Sequence, residues 1–271
     1  MPLAFIMSCV AILLIVTCFA IVISQIVAAS SLVYGLTLIA TLTAFFVALV
    51  HLIGGAPSLA VTLPLGLPWL GAHFQMDALS AFFLIVINLG AAVASLFALG
   101  YGRHEDAPHR VLPFYPAFLA GMNLVVLADD AFTFLASWEF MSLSSWSLVM
   151  AHHRARDNTQ AGYVYLIMAS FGTFALLLGY GMLAGPEGSY AFAAMRANHP
   201  SSGIAAVVLI LVLVGAGSKA GLLPRHVWLP HWDILDRRCS PLLHLFYLCP
   251  KRKVGVQGTL NPDGQAGQPC H

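Results

Sequence analysis

The first 75 residues of the chain contain no lysine, arginine, aspartate or glutamate, and Asp77 is the first charged side chain. A water-soluble fold cannot be built on such a stretch, because its surface has no charge to present. Across all 271 residues only 8% are charged and 59% are hydrophobic, whereas a soluble domain carries about 25% charged residues. A membrane span needs about 20 apolar residues to cross a hydrocarbon core of about 30 Å. Such a span must satisfy its own backbone hydrogen bonds, which selects helices. The fold class is therefore all-α, a polytopic transmembrane helix bundle whose first partner is the lipid bilayer. The opening run lacks the positive n-region and cleavage site of a signal peptide, so it reads as a retained helix.

Hydropathy predicts about seven helices, over 3–27, 32–53, 77–99, 112–128, 131–150, 160–184 and 204–223. The connection from Gly54 to His73 contains Pro57, Pro64 and Pro68 and reads as an ordered surface loop or short hairpin, with Trp69 at headgroup depth. Asp129-Asp130 makes a tight acidic turn. Asp77, opening the third helix, reads as a structural charge that complements the helix dipole. Arg103, Arg110, Arg154 and Arg156 fall in the loops after the third and fifth helices. The positive-inside rule places those loops in the cytoplasm and the N-terminus outside, in a bacterial inner (plasma) membrane. The net charge of +1, without a basic patch interleaved with aromatics, argues against a nucleic-acid partner. The five cysteines form no CxxC pair, so no metal site, redox cluster or other cofactor is implied.

Two charges stand where charge is costly. Glu139 lies about eight residues into the fifth predicted helix, ~12 Å deep at 1.5 Å per residue. There it must be protonated, hydrated or paired. Ser142 and Trp146 share its face at i+3 and i+7, and serines beside a carboxyl group can hydrogen-bond it. One reading makes Glu139 a tether to another helix; the other makes it part of an ion path or proton relay. Lys219 sits in Gly215-Ala-Gly-Ser-Lys-Ala-Gly-Leu-Leu-Pro224, a poor continuous helix of the kind that lines a hydrated cavity. Desolvation disfavours its charge and a nearby carboxylate favours it, so a Lys–Glu pair stores and releases a proton as its separation changes. The competing reading is a lysine that snorkels to the interface. His226 is the third candidate, either passing a proton or capping the broken helix. His152 and His153 read as solvated surface residues.

Trp138-Glu139-x-Met141-Ser142-Leu143-Ser144, taken with Gly217-Ser-Lys-Ala-Gly-Leu-Leu-Pro-x-His226-Val-Trp-Leu-Pro230, resembles the antiporter-like, proton-translocating membrane subunits. These occur in complex I, in Mrp cation/proton antiporters and in membrane-bound hydrogenases. The wording is nearest to hydrogenase-4 component B, also called formate hydrogenlyase subunit 3. Asp77-Ala-Leu-Ser80 also matches. The resemblance runs from about Met76 to Pro230 and implies an essential Glu and Lys at Glu139 and Lys219. It implies a fold of about fourteen helices in two inverted repeats, of which this sequence covers an incomplete first half.

On that basis 1–230 is expected to be a truncated antiporter-like transmembrane domain. Residues 231–271, where Arg237-Arg238 and Lys251-Arg-Lys253 appear, are expected to form a cytoplasmic tail foreign to the family and partly disordered. The expected function is that of a proton-translocating subunit of a hydrogenase-4-like or complex I-like oxidoreductase, as a truncated and inactive copy. It would hold no redox site of its own, and other membrane subunits would be its partners. A cation/proton antiporter subunit and a non-transporting membrane scaffold are the alternatives.

Overall fold

The computed structural model describes residues 2–24, 29–55, 57–64, 71–101, 110–152, 156–185, 188 and 190–220. In chain order these form helix α1 (Pro2–Ile23), α2 (Ala29–Ile53), strands β1 (Leu59–Leu63) and β2 (Ala72–Met76), and α3 (Ala78–Tyr101). Then come α4 (Phe114–Leu127), α5 (Ala131–Val149) with a 3-10 turn at Met150–His152, α6 (Arg156–Ala184), α7 (Phe192–Ala197) and α8 (Ser202–Ala220). All seven predicted helices are present. Two differences stand out. The sixth helix begins at Arg156, so Arg156 and Asp157 of the predicted loop belong to it. The short α7, six residues long, was not predicted, because it is too brief to carry a helical period.

Among the described residues five helices, α1, α2, α3, α6 and α8, are long and apolar enough to cross a membrane. α4 has only 14 residues, and α5 carries Glu139 and five serines. Each of these two packs against the longer helices. The packing is that of a protein in lipid. Large apolar side chains such as Val22, Ile39, Ile53, Leu96, Ile167 and Phe174 point outward. The interfaces hold small residues: Thr37, Ala40, Thr41, Ala44 and Ala48 on α2, and Ala81, Ala91, Ala92, Ser95 and Ala98 on α3. Lipid tails are as apolar as leucine, so helices gain by close backbone approach, which small residues permit. The buried hydroxyls stay satisfied, since Thr37 donates to the Val33 carbonyl at 2.8 Å and Thr41 to that of Thr37 at 2.9 Å. Asn88 of α3 donates to Asn123 of α4 at 2.7 Å, both fully buried.

The predicted short hairpin is present. β1 and β2 pair antiparallel, Leu59 opposite Met76 and Leu63 opposite Ala72. It is one piece of a larger seam. Phe74 bridges to Ala128, and Asp130 bridges to Ala191. The Asp129 N–H donates to the His73 carbonyl at 2.9 Å, and the Ala131 N–H to that of Tyr190 at 3.0 Å. The hairpin, the α4–α5 turn and the segment before α7 therefore share one end of the bundle. At the other end Arg110 donates to the Ala151 carbonyl at 3.4 Å.

The acidic turn has divided roles. Asp130 is buried and caps α5. It accepts from the Thr133 N–H at 2.7 Å, the Thr133 hydroxyl at 2.5 Å and the His73 N–H at 3.0 Å. An aspartate is well suited there, satisfying orphan donors at the positive end of the helix dipole. Asp77 plays the same part for α3, accepting from the Ser80 N–H at 2.7 Å. Burial pushes the carboxyl of the neighbouring Asp129 up, and the nearby Arg196 and His73 oppose that rise. Trp69, His226 and residues 231–271 lie outside the described residues.

Candidate proton-relay site

Three helices meet around Glu139 and Lys219, and glycines set how closely. A β-carbon on Gly121 of α4 would lie 2.9 Å from the Met141 α-carbon, so α4 and α5 touch backbone to backbone two residues past Glu139. A β-carbon on Gly215 of α8 would lie 2.8 Å from the Gly172 carbonyl and 2.6 Å from Leu176 Cγ of α6. Gly172 in turn faces Gly215 and Ser218. Lys219 follows Gly215 by four residues and Thr173 follows Gly172 by one. The glycine contact therefore brings the parts of α6 and α8 that carry Thr173 and Lys219 together.

Glu139 is half-buried, and its Oε1 accepts a hydrogen bond from the Thr173 hydroxyl. Thr173 has a second acceptor within reach, the Ala169 carbonyl at 3.2 Å. The Lys219 ammonium donates to the hydroxyl of Ser142, which is buried at 1% exposure. Ser142 donates its own proton to the Trp138 carbonyl at 2.7 Å. The same ammonium lies 5.3 Å from the centre of the Trp138 ring and 5.3 Å from that of Tyr165. Lys219 occupies the last turn of α8. Helical side chains lean toward the N-terminus, so its stem runs back toward the bundle interior. The described geometry is thus that of an inward-facing lysine, not one that snorkels.

Glu139 and Lys219, singled out in the sequence, come to one junction, but each ends on a hydroxyl instead of on the other. Ser142 was expected beside Glu139 and serves Lys219. Serine's short side chain keeps to its own i−4 carbonyl, which leaves its lone pairs facing α8 while Glu139 reaches α6. Thr173 and Tyr165 escaped the sequence reading. They lie eight residues apart, with Ala169 between them, on one face of α6. Threonine and tyrosine in a long apolar helix carry no signal of their own. Only the placement of α6 against α5 and α8 identifies them.

Aromatic rings run from the site to the hairpin end. Phe134 stacks on Trp138, with ring centres 5.5 Å apart, and meets Tyr180 and Phe192 edge-on at 6.1 Å. Tyr180 meets Phe192 at 5.8 Å, and Phe132 meets Tyr190 at 4.5 Å. The short α7 supplies Phe192 to this stack, which gives that helix a purpose.

Residues 128–233 match the family model described as NADH:quinone oxidoreductase/Mrp antiporter, TM. An uncharacterized protein of Mycobacterium tuberculosis is 39% identical over 164 residues, which is 60% of this chain and 25% of that protein. Hydrogenase-4 component B of Escherichia coli strain K12 is 37% identical over 158 residues, 58% of this chain and 23% of that protein. The chain spans about a quarter of the length of these curated relatives. Among solved structures, the membrane-bound sulfane sulfur reductase, an archaeal respiratory membrane complex, contains a chain that superposes with a TM-score of 0.70 at 20% identity. That superposition covers 83% of this chain and 47% of the other, a likeness of fold.

Proposed function

We propose that the chain is a member of the NADH:quinone oxidoreductase/Mrp antiporter transmembrane family, whose model residues 128–233 match, and that Glu139 and Lys219 are the proton relay of a translocating membrane subunit. The observation that carries this reading is that an acid on α5 and a lysine on α8, inside an apolar helix bundle, meet at one junction and each rests on a hydroxyl. A hydroxyl both donates and accepts. When Glu139 is anionic, the Thr173 proton serves it. When Glu139 is protonated, its own O–H can donate to Thr173 Oγ1 while the threonine proton turns to the Ala169 carbonyl. Glu139 can therefore gain or lose a proton without leaving a polar group unpaired, which a site in low dielectric requires. Ser142 gives Lys219 a matching support, accepting from it while donating to Trp138. Bringing the ammonium toward the carboxylate favours the charged pair, and separating them favours the neutral pair, so a change in separation moves a proton. His226 is proposed as the next relay group on the strength of its place in the Gly217–Pro230 motif.

The test is made in a full-length protein carrying this segment, in membrane vesicles with a pH-sensitive dye. Lys219→Ala is expected to cut proton translocation about tenfold or more, since the substitution removes a titrating group from the path. Lys219→Arg should not restore it, because arginine stays protonated. Normal rates in Lys219→Ala would exclude the relay.

For the complex it serves, the identity to hydrogenase-4 component B supports a hydrogenase-4-like or complex I-like oxidoreductase. Electron transfer would then belong to partner subunits. Sequencing the genes on either side is expected to reveal a hydrogenase large subunit. A run of small antiporter subunits there would instead make this a cation/proton antiporter subunit.

A further inference from the structure

We infer that Trp138 and Tyr165 are the walls, and Ser142 the floor, of a cation seat that holds the Lys219 ammonium apart from Glu139. The three groups come from two helices and converge on one nitrogen. Both ring centres lie 5.3 Å from Nζ, inside the range of about 6 Å over which a ring face attracts a cation. The Ser142 oxygen takes one of the three ammonium protons. Serine can accept there because its own proton is committed to the Trp138 carbonyl at 2.7 Å.

The seat has a defined chemistry. Ring faces stabilise the ammonium and offer nothing comparable to the neutral amine. They carry no charge, so they hold the cation without neutralising it as Glu139 would. A lysine with only a carboxylate for a partner would stay on it. One with a second resting place of comparable strength can leave. Trp138 is also stacked on Phe134. Tyr165 lies two turns along α6 from Thr173, so the cation seat and the carboxylate's hydroxyl partner share one helix face. Trp138, Tyr165 and Ser142 act through Lys219 and are positioning residues.

This inference takes its purpose from the relay reading, but its test needs no proton flux. The full chain is placed in lipid nanodiscs and exposed to a membrane-permeant amine-acylating reagent. Mass spectrometry then gives the labelling rate of Lys219 relative to Lys251 and Lys253, which are the other two lysines of the chain. Such reagents attack the neutral amine, so a seat for the ammonium slows labelling. Tyr165→Phe keeps the ring and is expected to leave the ratio within about twofold. Tyr165→Leu and Trp138→Leu should each raise it about three- to tenfold, the span expected from one partly desolvated cation–π contact. Replacing Tyr165 by phenylalanines of increasing fluorination drains the ring face while keeping its shape, and labelling should rise stepwise with fluorine. A rate indifferent to fluorine, or a Tyr165→Phe variant as reactive as Tyr165→Leu, overturns the seat. If labelling follows the rings while Lys219→Ala translocates protons normally, the seat stands and the relay reading falls.

Discussion

Glu139→Gln, made in a full-length protein carrying this segment, is expected to lower proton translocation about tenfold or more while the helices remain inserted. Glutamine has nearly the shape of glutamate, and its amide oxygen can still accept from the Thr173 hydroxyl. The contact between α5 and α6 therefore survives the change. What is lost is the group that takes and gives up a proton. A tether and a relay make opposite forecasts here, because the tether needs only the acceptor. Flux measured beside subunit yield separates them. Low flux at normal yield supports the relay. Normal flux sinks it, and normal flux with reduced yield makes Glu139 a structural link.

Gly215→Leu is expected to be the most damaging substitution outside the charged pair. Its first side-chain carbon would already sit 2.8 Å from the Gly172 carbonyl and 2.6 Å from Leu176 Cγ. Backbone cannot give way as a side-chain tip can, so α8 must move off α6. Overpacking of this kind typically costs about 1–3 kcal/mol, which outweighs the gain of roughly 0.8–1 kcal/mol from replacing a helical glycine by a better helix former. The displacement also acts one turn away, where Lys219 would lose Ser142 and Tyr165 together. Melting in detergent should fall by several degrees, and proton translocation should fall with it. Gly181→Leu is the control, because a β-carbon there has nothing within 4 Å. Equal melting points for the two variants would mean that the α6–α8 contact does not hold the site.

The bundle was legible because the bilayer dictates span length and forbids unpaired backbone. Seven apolar runs could be little else, and the long uncharged opening left no soluble alternative. Glu139 and Lys219 stood out for the same reason, as charges where charge is costly. Asp77 was legible as a charge complementing the dipole of a clear helix, and its bond from the Ser80 N–H adds a cap to that reading. The division of labour between Asp129 and Asp130 was not, since neighbouring identical residues differ only in which one the chain turns inward. Nor were Thr173 and Tyr165, whose roles depend on how α6 is rotated against α5 and α8. That rotation is set by Gly172 and Gly215, and a glycine in an apolar helix does not announce which neighbour it admits. The hairpin could be anticipated from its prolines and its place between spans. Its pairing with Ala128 and its link to Tyr190 join segments far apart in sequence, where local pattern is silent.

The seam that joins the hairpin, the α4–α5 turn and the segment before α7 has a mechanical consequence. α5 is pinned at its first residue by the Ala131 bond to Tyr190 and by the buried Asp130 cap. It is locked again at mid-length, where Met141 fills the space over Gly121. α8 is seated on α6 through Gly172 and Gly215. To slide either helix by a residue would drive side chains into gaps that admit only glycine. The frame around Glu139 is therefore stiff, and on the proposed relay the lysine itself would be the moving part. The stroke of such a relay would be the swing of a four-carbon arm, between two rings on one side and a carboxylate on the other.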